Sequence, residues 1–238
     1  MAAQSDSPAW VGRRALVVDL WDTLTVPSLG ARDPLVAKLG EILGVEPWSF
    51  AELYAATFPE RARGELGDLH ATLRAVCSML GAKPSDEAIE RAARRRLEIT
   101  AQLMRFRDDA VTTLRRFRAE GWATGLVTDS SCDSRTVWGG TPVARLVDAA
   151  VFSCNEGVSK PASRLFEVAV ARLGVDANQC VYVADGRSGE LSAAATLGMR
   201  SVRLAVEVVY PDAETWTGET VERLGDLPAL LLRPNAVG

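Results

Sequence analysis

The 238-residue sequence is poor in lysine and histidine and has no long apolar run. Each shortage excludes something. Its longest apolar stretches are of strand length, far short of the ~20 residues of a membrane span, so no membrane partner is expected. The opening residues, MAAQSDSPAWVG, lack the apolar centre of a secretory leader. The four cysteines, Cys77, Cys132, Cys154 and Cys180, form neither a CxxC pair nor a zinc-type spacing. They read as small buried hydrophobes of a reducing compartment, and a cytoplasmic protein is expected. Positive charge is not in excess: the net charge is −4, which argues against nucleic acid as a partner. A pocket's local field can still favour a small anion. The single histidine, His70, lies in a helical stretch and reads as a surface or packing residue. Lysine occurs only at Lys38, Lys83 and Lys160, which makes each worth placing.

What remains is 47% hydrophobic and 24% charged, the composition of a globular chain. ALVVDLW (15–21) is an apolar, β-branched run suited to a strand buried on both faces. From 35 to about 104 the spacing is helical throughout, with Gly44 as a stop and Ser85 as a cap. In the last of these helices Ile89, Ala93, Leu97, Thr100 and Leu103 line one face, while the run Arg94–Arg96 reads as a solvated face. Strands and helices then alternate. ATGLVTD (123–129), AAVFSC (149–154), CVYVAD (180–185) and RSVRLA (200–205) are the strands. Helices fall over 108–121, 163–174 and 188–198, and a Ser/Asp/Gly-rich loop runs to about 142. Alternation with strands that are apolar throughout predicts an α/β fold, a doubly wound parallel sheet. The helical block is too long for a loop and interrupts this pattern after the first strand. The expected division is a core domain of residues 13–25 and 105–238 with an all-helical domain of 26–104 inserted over the ligand-binding edge.

Polar residues collect where the strands end. The first run contains Asp19, followed by Trp21-Asp22-Thr23; the second ends in Thr128-Asp129-Ser130. Lys160-Pro161 follows the third strand, and Asp185 closes the fourth with Glu190 five residues on. If the first and fourth strands are neighbours, Asp19 and Asp185 meet across ~4.8 Å, where two carboxylates repel unless a cation lies between them. An all-oxygen site of this kind suits Mg²⁺. A carboxylate aimed into an anion site with a lysine and a hydroxyl can attack phosphorus. Glu190 is equally suited to the positive end of a helix. Arg61 and Arg63, in PERARG, could reach a substrate's anionic tail, although exposed helix charge is the simpler role.

These motifs in this order resemble the haloacid dehalogenase (HAD) superfamily. Asp19-Leu20-Trp21-Asp22-Thr23-Leu24 resembles its DxDGT signature, and Thr128 in GLVTDSS its strand-terminal hydroxyl. Lys160 in EGVSKPASRLF resembles its lysine, and Asp185 through Glu190 its GDxxxxD. The resemblance spans residues 15 to about 205 and extends to the helical block, which looks like a C1-type cap. It implies Asp19 as nucleophile, with Thr128 and Lys160 as further catalytic residues. It implies Asp19, Asp185, Glu190 and the Trp21 carbonyl as Mg²⁺ ligands. Thr128, Asp129, Lys160 and Arg63 are the expected substrate-binding set, and a small phosphorylated metabolite the expected substrate.

The sequence departs from the family at Trp21, where phosphatases usually carry a second aspartate as general acid and base. Indole cannot shuttle that proton. The 2-haloacid dehalogenases have an aromatic residue there, but they generally work without metal and have lost the acidic fourth motif, which this sequence keeps. Mg²⁺-dependent phosphoryl hydrolysis through an aspartyl-phosphate is therefore the first expectation. Dehalogenation is the second, and a catalytically impaired binding protein the third.

Overall fold

The structure is a computed structural model that describes residues 13–28, 32–206 and 215–232. The opening residues MAAQSDSPAWVG lie outside that range.

The centre is a six-stranded parallel sheet of order β3-β2-β1-β4-β5-β6. Its strands are β1 (Ala15–Val18), β2 (Ala123–Thr128), β3 (Ala149–Phe152), β4 (Cys180–Ala184), β5 (Arg200–Leu204) and β6 (Thr220–Val221). β1 lies between β2 and β4, with Val18 opposite Leu126 on one side and Val183 on the other. The two-residue period of a strand explains its uninterrupted apolar run. Leu16 and Val18 pack on one face with Leu114 and Phe117 of α6 (Ala110–Ala119). Ala15 and Val17 pack on the other with Leu165 and Phe166 of α9 (Ser163–Leu173). Helices thus cover both faces of the sheet, as expected.

Between β1 and β2 stand α1 (Arg32–Leu43), α2 (Pro47–Ala56), α3 (Phe58–Ala62), α4 (Leu69–Met79) and α5 (Asp86–Leu103). They have a core of their own, built on Leu39, Phe50, Leu73, Val76, Ile89 and Ile99. α1 and α2 approach so closely that a Cβ at Gly40 would come within 2.7 Å of the Pro47 Cα. Ser85 caps α5 by accepting from the Ala88 N–H at 3.2 Å. Gly64, at φ +72°, faces the core: a Cβ there would meet the Cys154 carbonyl oxygen at 2.3 Å. Only glycine tolerates both the angle and the approach.

Three details differ from the sequence reading. β1 ends at Val18 rather than continuing to Trp21, because residues Leu20–Leu24 wind into a wide helical turn. That turn holds Asp22 at φ +61°, a conformation that favours glycine, the residue the DxDGT signature places there. The expected loop to 142 contains α7 (Cys132–Trp138), fixed by Trp138, which packs edge-on against Phe106 and Phe152. Its Ser/Asp-rich start masked the helix. β6, only two residues long, is too short to show any periodicity, and α8 (Ser153–Glu156), α10 (Glu190–Thr196) and α11 (Leu227–Leu231) complete the helices described. No helix among the described residues is long and apolar enough to cross a membrane.

Candidate active site

The chain leaves the sheet at Asp19. Its N–H donates to the Val183 carbonyl at 2.9 Å, one rung beyond the β1–β4 ladder, so the carboxylate is carried on the centre of the sheet. The Thr23 hydroxyl, brought back by the wide turn, donates to Asp19 Oδ2 at 3.3 Å. The Asp185 N–H in turn donates to Thr23 Oγ1 at 3.1 Å. One threonine thus ties the ends of β1 and β4 together.

Lys160 reaches the same point from the loop after β3. Its Nζ donates to Asp19 Oδ1 at 2.8 Å and also pairs with Glu190. The Tyr182 hydroxyl donates to Glu190 Oε2 at 3.2 Å and lies 3.4 Å from the ammonium. Asp129 holds the lysine's backbone, accepting from the Lys160 N–H at 2.9 Å. An oxygen from each of Asp19, Asp185 and Glu190 lies within 4.8 Å of the others, and all three residues are buried. Two of their oxygens, Asp185 Oδ2 and Glu190 Oε1, are buried without a hydrogen-bond partner.

Burial dominates the titration of this cluster. It pushes Asp19 up to about 8; Lys160 opposes the shift, while Glu190 and Asp185 add to it. Burial and the neighbouring Glu190 likewise lift Asp185 to about 7. For Lys160, burial would lower the pKa, but Asp19 and Glu190 more than reverse this and hold the ammonium charged. With all three ionised, three carboxylates around one ammonium leave an excess of negative charge, which the raised pKa values of Asp19 and Asp185 relieve by protonation when no cation is present. A divalent cation offered an all-oxygen shell fits both that excess and the unpartnered oxygens.

The cluster opens into a cavity of about 730 Å³ between the sheet edge and the helical insertion. Asp19, Trp21, Asp129, Lys160, Asp185 and Glu190 all line it. Thr128 does not: it is fully buried at the end of β2, its hydroxyl 3.4 Å from the Asp129 carbonyl. Asp22 is also buried and outside the lining. Arg63 is a correction. It is not among the residues that line the cavity and pairs with Glu65 at 2.6 Å on the surface.

The insertion supplies two other arginines instead. Arg61 is 5% exposed and lines the cavity with Arg96, which the sequence reading had placed on a solvated face. Arg96 pairs with the buried Asp133 of α7 at 2.9 Å. Arg61 donates to Ser131 Oγ at 3.2 Å and to the Tyr54 carbonyl at 2.6 Å. Both guanidiniums lie over the Tyr54 ring, 3.9 and 5.1 Å from its centroid. Burial lowers the pKa of Arg61. For Arg96, burial acts in the same direction but Asp133 prevails and raises it. Thr23, Tyr182 and Arg96 had no role among the sequence motifs, whereas Arg61 was a candidate for a substrate's anionic tail and does line the cavity.

A sequence model of the haloacid dehalogenase-like hydrolases matches residues 13–198. The chain belongs to that family. No curated protein matches it by sequence. Among solved structures, a 2-haloacid dehalogenase from Pseudomonas syringae pv. Tomato DC3000 is 22% identical, with a TM-score of 0.67 over 93% of this chain and 99% of its own. A HAD phosphatase from Thermococcus onnurineus is 20% identical, with a TM-score of 0.63 over 92% and 97%. A HAD family enzyme from Bacteroides thetaiotaomicron, in complex with magnesium and inorganic phosphate, is 16% identical, with a TM-score of 0.62 over 84% and 98%. These likenesses establish a HAD-type fold. Both dehalogenase and phosphatase chemistry occur on it, so the choice between them rests on this HAD-like hydrolase's own residues.

Proposed function

We propose that this HAD-like hydrolase cleaves small phosphorylated metabolites with Mg²⁺, through an aspartyl-phosphate on Asp19. The observation that carries the reading is the cluster of three buried carboxylates, two of them paired to one ammonium and two of their oxygens left without partners. Asp19, Asp185 and Glu190 would hold the ion, with the Trp21 carbonyl as a further oxygen. When bound, it would neutralise the carboxylates and draw the substrate's phosphoryl oxygens to the end of β1.

Lys160 orients the Asp19 carboxylate through Oδ1 and leaves a positive charge beside the entering phosphoryl group. An Asp19 oxygen bonds to phosphorus as the bond to the leaving oxygen breaks. Water then bonds to the same phosphorus, the acyl-phosphate bond breaks, and Asp19 returns to a carboxylate. The water's proton passes to released phosphate or solvent. Trp21 donates no proton to the leaving oxygen, and Asp22 does not line the cavity. The reading therefore favours leaving groups that depart without protonation, such as acyl or enol oxygens. Asp129, which fixes the Lys160 backbone, is assigned a positioning role and substrate contact in the cavity. Thr128, whose hydroxyl donates to the Asp129 carbonyl at 3.4 Å, stands beside that contact.

The test is turnover of a phosphate-ester and acyl-phosphate panel with Mg²⁺, with EDTA, and with Asp19→Asn. Mg²⁺-dependent release of phosphate that disappears in the variant is expected; equal activity in all three rejects the reading. The aromatic Trp21 favours a second reading, 2-haloacid dehalogenation by the same Asp19. Halide release from 2-haloacids that persists in EDTA would establish it instead.

A further inference from the structure

The insertion's side of the cavity carries its own charge imbalance. Asp133 is fully buried, and its two oxygens are taken by the hydroxyls of Ser131 and Thr100 and by Arg96. None of its bonds reaches Arg61. Arg61 has only neutral partners, Ser131 and the Tyr54 carbonyl, and its Nε is buried with none; the Arg96 Nε is in the same state. Two guanidiniums and one carboxylate leave one positive charge, almost out of solvent, in a cavity that also contains the reacting carboxylate. Burying an unbalanced charge is costly unless an anion meets it.

We propose that Arg61 and Arg96 form a subsite for a carboxylate on the substrate, so that the molecule hydrolysed at Asp19 is a short phosphorylated carboxylic acid. The proposal rests on phosphoryl hydrolysis at Asp19 and adds the class of acid. The net charge of the cluster, one positive unit, matches a carboxylate rather than a second phosphate dianion. The guanidinium fork matches the planar shape of that group. Trp21, Val36, Ala51 and Leu103, also in the lining, suit a hydrocarbon spacer between the two anionic ends.

The experiment compares, with Mg²⁺ present, phosphorylated carboxylic acids with alkyl phosphates and alkyl bisphosphates of equal length. The acids are expected to exceed the alkyl phosphates in kcat/KM by about 10- to 100-fold, the scale of a charge-assisted hydrogen bond, mainly through KM. That ratio should collapse towards unity in Arg61→Met and fall several-fold in Arg61→Lys, which keeps the charge and loses the fork. Arg61→Lys also serves if Arg61→Met does not fold. A purely structural role would change melting temperature and leave the ratio alone, which overturns the proposal. Preference for bisphosphates over acids overturns it too. Calorimetry with butyrate, pentanoate and hexanoate separates the two readings, because these ligands carry no phosphate. Binding that is lost in Arg61→Met, without hydrolysis of any ester, keeps the subsite and rejects the phosphatase. Ester hydrolysis with no preference for acids keeps the phosphatase and rejects the subsite.

Discussion

Three buried carboxylates lie together at the edge of the sheet with one ammonium paired to two of them, while under the insertion one buried carboxylate pairs with only one of two neighbouring guanidiniums. The two walls of the cavity are unbalanced in opposite senses. They also differ in how they are held. Asp19 and Asp185 directly follow the central strands β1 and β4, and Glu190 opens α10 just beyond. Arg61 and Arg96 are carried on helices with a separate core and meet the sheet side through Ser131 and Asp133. The rigid wall fits the reaction common to a family. The separately packed wall fits the part of a substrate that varies.

Removing the nucleophile tests the first wall hardest. Asp19→Asn should lower kcat by a factor on the order of 10⁶, the scale for loss of a catalytic nucleophile, with folding retained by circular dichroism. The second wall should break through stability instead. Asp133→Asn leaves Arg96 beside Arg61 without its counter-charge, and a loss of about 3–5 kcal/mol is expected in urea denaturation. Burial alone would raise the Asp133 pKa; Arg96 and the hydroxyls of Ser131 and Thr100 more than offset this and hold it below its ordinary 3.8. A carboxylate with a depressed pKa stabilises above its ordinary value and loses that contribution as pH falls through the folded one. The wild-type protein should therefore lose this increment below pH 3.8, and Asp133→Asn should lack that part of the decline.

Trp21→Asp sharpens the contrast by adding a fourth carboxylate and a proton donor. A gain of about 10²-fold on alkyl phosphates, the lower end of general-acid assistance, is expected in steady-state assays. Absence of any gain would weaken the phosphoryl reading. Gly64→Ala forces a side chain into the left-handed region and against the Cys154 carbonyl. It should cost about 1–2 kcal/mol from the backbone angle alone, seen as a lower melting temperature.

The sheet wall was legible in the sequence because its chemistry follows strand ends. An apolar run that stops at Asp19 or Asp185 marks both the element and the direction of the next side chain. The conditional pairing of the first and fourth strands became the observed Val18–Val183 register. The insertion was legible as helices, and as a site only through the candidates Arg61 and Arg63. Arg61 and Arg63 sit two residues apart around a five-residue helix, too short to set its phase from the sequence. Arg96 is a different case. It lies three residues after Ala93 and four before Thr100, on the stripe already assigned to the buried face of α5. Its membership in a run of three arginines hid the period. β6 and α7 escaped for a simpler reason: tertiary contacts such as those of Trp138, rather than local pattern, define them.

The contacts that join the two walls cross a single seam. Arg96 on the insertion grips Asp133 beyond it, and Arg61 reaches across to Ser131. Lifting the helices away would part both bonds together and strand Asp133 without its cation. The two side chains proposed to meet the substrate's carboxylate are thus the same two that tie the insertion to α7, and a substitution that loosens this contact should also blunt discrimination.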